Sequence, residues 1–232
     1  MQPEYRSKPL SSDMTYSTSR RALPIAKEGF PFIGGGIVLS IASALLGLMA
    51  TSIILGLLTL FVVYFFRDPE RGLPQKPNAL VAPADGKLLK VETLKPSHSP
   101  LDVETVKLSI FMSLFNVHVN RCPTEGIVEE IIYEPGKFFS ANLDKASEQN
   151  EKNKIFLEAP RVGKIMLVQI AGLIARRIVC WIRPGEKVSL GQRVGLIRFG
   201  SRVEVYIPAT CRVVVKEGQK VKAGQTIIGY SL

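Results

Sequence analysis

Histidine is scarce in this chain, with two in 232 residues (His98 and His118), beside three cysteines and one tryptophan. The cysteines, Cys122, Cys180 and Cys211, are odd in number and form no C-x-x-C pair. That excludes a disulfide framework and leaves no cluster with metal-ligand spacing, so they read as reduced core residues. Neither an RNP-like aromatic motif nor a basic helix occurs, which argues against a nucleic-acid partner despite a net charge of +10. A recognisable site for an external cofactor is missing too. Any unusual electrophile would have to be made from the chain itself.

Charge is absent from one long stretch: residues 29–66 carry no charged side chain over 38 positions. A spanning helix needs about 20 apolar residues, so this run is long for one span and short for two with a turn. The expectation is a hairpin of two short helices, bent near Gly34-Gly35-Gly36, Gly47 or Thr51-Ser52, that dips into or barely crosses the bilayer. A single long tilted span is the alternative. A polar stretch precedes the run and no small-x-small site follows it, which excludes a cleaved signal peptide. Lys27 before it and Arg67 and Arg71 after it put both ends on the cytoplasmic face of the cell membrane. The expected layout is a disordered or loosely attached leader (1–28), a membrane anchor (29–66) and one globular domain (67–232) large enough to bury its own core. Residues 160–232 hold 13 basic against 3 acidic side chains. Beside an anchor, that excess draws the domain onto an anionic membrane surface, at roughly 1 kcal/mol per nearby Lys or Arg.

Past residue 66 the helical pattern gives way to Val- and Ile-rich runs at 88–92, 106–112, 126–133, 153–159, 164–170, 178–181, 193–197, 202–207, 211–215 and 226–229. Short runs of this kind between Gly and Pro predict a mainly β body. The polar stretch 142–153 reads as a mobile loop or short helix suited to a lid. Gly185-Glu186-Lys187-Val188 through Val194 returns 33 residues later as Gly218-Gln219-Lys220-Val221 through Ile227. Two such units around one core predict a barrel-like sandwich with an internal β-repeat. The phrasing resembles biotinyl and lipoyl domains, which makes a carrier or inactive scaffold the non-enzymatic alternative, although no Met-Lys-Met occurs.

Three small features carry chemistry. Asp85 lies in Ala82-Pro83-Ala84-Asp85-Gly86, His118 in Phe115-Asn116-Val117-His118-Val119-Asn120-Arg121, and a Gly-Ser pair in Arg198-Phe199-Gly200-Ser201-Arg202. Taken singly they read as an Asp-Gly turn, a buried structural histidine and a Gly-Ser turn. His98, between Ser97 and Ser99, reads as solvated.

Together these motifs, with Phe65-Phe66-Arg67-Asp68-Pro69, Asp144-Lys145-Ala146-Ser147-Glu148, Gln169-Ile170-Ala171-Gly172 and Ala175-Arg176-Arg177-Ile178, resemble the short form of the phosphatidylserine decarboxylase family from about residue 65 to the C-terminus. Two features depart from the long form, which has Leu-Gly-Ser-Thr at the Gly-Ser pair and an extra histidine where Phe115 stands; the short form shares both. The resemblance implies self-cleavage between Gly200 and Ser201 into a β chain (1–200) and an α chain (201–232) that stay together. Ser201 would become a covalent pyruvoyl group, the cofactor that removes carbon dioxide from phosphatidylserine and leaves phosphatidylethanolamine. His118 would activate the Ser201 hydroxyl and later protonate the product, with Asp85 orienting the imidazole. Arg176, Arg177, Arg198, Arg202 and Lys145 are candidates for the lipid phosphate and carboxylate. An archaeal ether lipid, archaetidylserine, remains an alternative substrate, and association as a homodimer remains open.

Overall fold

The structure is a computed structural model that describes residues 24–143, 145–173, 177–198 and 200–232, with the backbone alone of Lys145. Most of the expected leader therefore lies outside the described residues. The uncharged run folds into two helices, α1 (Phe30–Leu45) and α2 (Met49–Phe65). The chain turns between them at Leu46-Gly47-Leu48, with Gly47 at φ 76°. Gly34 to Gly36 and Thr51-Ser52, the other candidate bends, lie inside helices. The helices pack against one another through a polar seam in which Ser40 Oγ donates to the Ser52 carbonyl (2.9 Å) and Ser52 Oγ to the Ser40 carbonyl (2.8 Å). Hydroxyls satisfied in this way are compatible with an apolar surround. Leu39, Leu45, Ile53, Leu57 and Leu60 face outward. Helices of 16 and 17 residues rise about 24–26 Å at 1.5 Å per residue, short of a ~30 Å hydrocarbon layer. The helical stretch Lys27–Leu45 is long and apolar enough to cross a membrane, whereas Met49–Phe65 is shorter.

The rest is mainly β. In chain order the elements are β1 (Ala79–Val81), β2 (Gly86–Leu94), β3 (Thr105–Met112), β4 (Val119–Arg121), β5 (Gly126–Glu134), the short helix α3 (Lys145–Gln149), β6 (Lys152–Ala159) and β7 (Gly163–Ala171). There follow β8 (Ile178–Cys180), β9 (Lys187–Val188), β10 (Arg193–Ile197), β11 (Ser201–Pro208), β12 (Arg212–Val213), β13 (Lys220–Val221) and β14 (Ile227–Tyr230). A curled eight-stranded sheet runs β13-β2-β3-β11-β7-β6-β5-β9, flanked by two three-stranded sheets, β1-β14-β12 and β4-β10-β8. Leu88, Leu108, Ile110, Ile155, Leu167, Val203 and Val205 fill the main core, and the three cysteines are free and buried in or against it. Burial pushes the Cys122 thiol up to about 12 and Cys180 to about 11, so neither ionises near neutral pH.

The repeat is visible in the backbone. Gly185 and Gly218 both sit at φ 81°, and Gly191 and Gly224 at 70° and 72°. The two Lys-Val pairs form β9 and β13, which close opposite edges of the eight-stranded sheet.

A second apolar cluster, of Ala26, Phe65, Phe66, Val117, Val119 and Leu196, packs the last turn of α2 onto the β body. The linker beyond it is held by ion pairs: Asp68 with Arg193 (2.6 Å) and Arg121 (3.5 Å), and Arg71 with Asp85 (2.9 Å).

Candidate functional site

Ser201 opens β11, in the middle of the large sheet, where its backbone pairs with Met112 of β3 and Ala171 of β7. Its side chain is buried and its Oγ has no hydrogen-bond partner among the described residues. Gly200 precedes it at φ 68°, in the left-handed region that side chains disfavour. The Gly200 carbonyl presses against Gly172, where a Cβ would lie 2.1 Å from the Gly200 oxygen. A bare glycine at 172 is what lets that carbonyl sit there.

His118 lies between β3 and β4, fully buried. Its Nδ1 is 3.0 Å from the Asn116 carbonyl. A carbonyl only accepts, so Nδ1 carries the proton and the lone pair of the neutral ring is on Nε2. That Nε2 is buried without a partner among the described residues. Burial, with a smaller contribution from the nearby Arg67 charge, lowers the imidazole to about 4, against the opposing effect of the Asn116 bond. In this state burial keeps the His118 ring neutral. The Ile197 N–H approaches the His118 carbonyl at 3.4 Å, so β10 ties the histidine loop to the strand that leads to Gly200. His118 Nε2 and Ser201 Oγ are not hydrogen-bonded to each other.

Asp85 makes no hydrogen bond to this imidazole. One oxygen pairs with Arg71 and the other accepts the Ala223 N–H at 2.8 Å. The Asn116 carbonyl takes the expected place of the carboxylate, held by a turn in which the Asn116 side chain accepts from both the N–H and the hydroxyl of Ser113.

The cationic candidates separate. Arg202 is 3% exposed, donates to Ser147 Oγ (2.6 Å) and pairs with Glu204 (3.4 Å), so in this structure it is part of a buried network. Arg198 is half-buried, with its guanidinium 5.3 Å from the Phe32 ring in the first turn of α1, and the charge of the exposed Arg177 acts on it. Arg176 and the side chain of Lys145 lie outside the described residues, as do Asp144 and Phe199. His98 is exposed, as its sequence suggested.

Sequence reasoning missed the parts played by Gly172, Asn116 and Phe65. All three stood inside the quoted motifs, but nothing in their residue type shows that Gly172 meets Gly200 or that the Phe65 ring lies 4.2 Å from the His118 ring.

Comparison with known proteins agrees with these motifs. The family profile described as phosphatidylserine decarboxylase matches residues 58–229. A phosphatidylserine decarboxylase proenzyme of Desulfotalea psychrophila is 49% identical over 207 residues, covering 89% of this chain and 96% of that protein. Proteins of the same name from Syntrophus aciditrophicus (48% over 206 residues; 88% and 96% covered) and Xanthobacter autotrophicus (47% over 221 residues; 91% of each) are similarly close.

Proposed function

This chain belongs to the phosphatidylserine decarboxylase family, and we propose that it cuts its own backbone between Gly200 and Ser201 to make the group with which it decarboxylates. It is a carboxy-lyase whose substrate is phosphatidylserine and whose products are phosphatidylethanolamine and carbon dioxide. The alternative of a carrier or scaffold gives way to this family.

The observation that carries the self-cleavage reading is the pair at the strand start: a glycine in the left-handed region followed by a buried hydroxyl with no partner among the described residues. In the proposed reaction His118 Nε2 takes the Ser201 hydroxyl proton. Ser201 Oγ attacks the Gly200 carbonyl carbon, the Gly200–Ser201 amide breaks and an ester replaces it. Loss of the Ser201 α-proton then expels the Gly200 carboxylate. The dehydroalanine left at 201 takes up water and releases ammonia, which leaves a pyruvoyl group. The residues fit such a group, since Ser201 is held by ladder partners on both sides and Gly172 leaves room at the carbonyl. The pyruvoyl group supplies a carbonyl that condenses with the substrate amine and takes up the electrons released by the departing carboxylate. His118 is also the candidate to return a proton to the substrate Cα. That step asks substrate or water to reach Nε2, because burial keeps the imidazole unprotonated.

Arg198 and Arg177 are the proposed contacts for the lipid phosphate, because Arg198 stands two residues before Gly200 and against the first turn of α1. The hairpin is proposed to lie in the cell membrane with the β domain on the cytoplasmic face, so that a headgroup reaches the site without its acyl chains entering water.

Mass spectrometry of the denatured protein tests this reading. The expected result is two chains, 1–200 and 201–232, the shorter with a blocked N-terminus, and a single uncut chain for Ser201→Ala and His118→Ala. Fully active protein in one unbroken chain would overturn it.

A further inference from the structure

The hairpin ends against the catalytic histidine. Phe65, in the last turn of α2, is fully buried, and its ring centroid lies 4.2 Å from that of His118, tilted by 35°. One turn is enough to add two more contacts to the same loop: Tyr64 Oη donates to the Phe115 carbonyl at 3.1 Å and Arg67 Nη2 donates to the same oxygen at 2.7 Å. The Arg67 guanidinium also covers the Tyr64 ring at 3.8 Å. Phe115 itself is 67% exposed and meets Phe61 edge-on at 6.3 Å, so the loop tip lies along the apolar flank of α2. The next residue, Asn116, supplies the carbonyl that fixes the imidazole. A helix that merely anchored the chain would need none of these contacts.

We infer that the foot of the hairpin is a working part of the self-cleaving site: Phe65 caps His118, and Tyr64 and Arg67 hold the loop that aims it. These are positioning residues, and the inference rests on the reading of His118 as the base for Ser201. Phe65 excludes water from one face of the ring, which keeps the imidazole neutral and its Nε2 lone pair available in acid as well as at neutral pH. Among the described residues, Arg67 is the charged group that acts on it, and it acts in the same direction. The family profile begins at residue 58, inside α2, so its match takes in this foot, whereas α1 and the turn lie outside it.

The test uses the full-length chain, synthesised cell-free into detergent micelles and shifted to pH 8 or pH 5.5 while appearance of the 201–232 chain is followed. With His118 lowered to about 4, the wild type cleaves with an intact base at both values. In Phe65→Ala the ring is wetted and its pKa returns toward about 6.5, where roughly one tenth is neutral at pH 5.5. Expected is a ratio of rates, pH 8 to pH 5.5, about tenfold larger than in the wild type. Phe65→Leu, which thins the cover without emptying it, is expected to give a smaller shift in the same direction, and it decides the matter if Phe65→Ala fails to fold. An unchanged ratio, even with both rates lowered, would reduce Phe65 to packing and overturn the inference. Cleavage of His118→Ala in the same assay would instead overturn the assignment of the base.

Discussion

The contact between Gly172 and the Gly200 carbonyl leaves no room for a side chain. A Cβ at 172 would stand 2.1 Å from the oxygen and 3.0 Å from the carbon that Ser201 is proposed to attack, with the Ala141 methyl at 3.2 Å closing the other side. Both neighbours at the carbonyl are backbone, so the strain cannot be relieved by a rotamer change. Gly172→Ala is therefore expected to turn the Gly200 carbonyl away from Ser201 Oγ. A displacement of about 1 Å at a reacting centre costs on the order of 100-fold. Time courses of two-chain product on denaturing gels should show a loss of that size in a chain that still folds. Cleavage at the wild-type rate would mean that the carbonyl has freedom the close contact does not suggest.

Among the elements, β11 does two jobs at once. Its first residue is Ser201, the proposed nucleophile, and three residues on, Glu204 is buried while accepting from Ser109 (3.2 Å), Ser147 (2.5 Å) and the Tyr206 hydroxyl (2.9 Å). Arg202 and Lys107 each stand 3.4 Å from the same carboxylate. Glu204→Gln leaves Arg202 uncompensated inside the protein, and breaking a buried pair from one side costs about 3–5 kcal/mol. Urea unfolding in the uncleaved Ser201→Ala background, where a single chain unfolds, is expected to show a loss in this range. A change below about 1 kcal/mol would mean that water reaches the network.

These elements also mark how far the sequence could be read. Strands such as Val106–Met112 and Arg202–Ile207 were legible within a residue or two because Val and Ile recur in short runs between turn residues. The two-residue edge strands β9 and β13 were recognised only as a repeated phrase, and β1 and β4 were too short to stand out. At the candidate site, Ser201, Gly200 and His118 could be singled out through their motifs. The partners were not. Asp85 is claimed by Arg71 and Arg202 by Ser147, and such pairings depend on how separate strands and linkers come together, which residue type and spacing do not encode. The depressed pKa of His118 is of the same kind, because it follows first from burial by the folded protein, which residue type does not encode.

At the scale of the whole molecule, the helices and the β body meet through one apolar cluster and a short run of ion pairs, so the hairpin and the sheet are built as one piece. The two Lys-Val edges at β9 and β13 are only two residues long, which gives a neighbouring sheet little to pair with. Residues 201–232 supply β11, β12, β13 and β14. Of these, β11 is flanked by β3 and β7, β13 lies on β2 and β14 on β1. A cut before Ser201 thus severs one covalent link but leaves the small fragment woven through the large one, with no reason to dissociate while the protein stays folded. Its cost appears only on unfolding, when recovery changes from a unimolecular event to an encounter between strangers. The uncut Ser201→Ala chain should regain its structure after dilution from denaturant at any protein concentration, whereas the matured pair should do so with a yield that falls as the solution is made more dilute. Maturation, on this view, is a ratchet: the enzyme gains its reactive end and gives up the ability to assemble itself a second time.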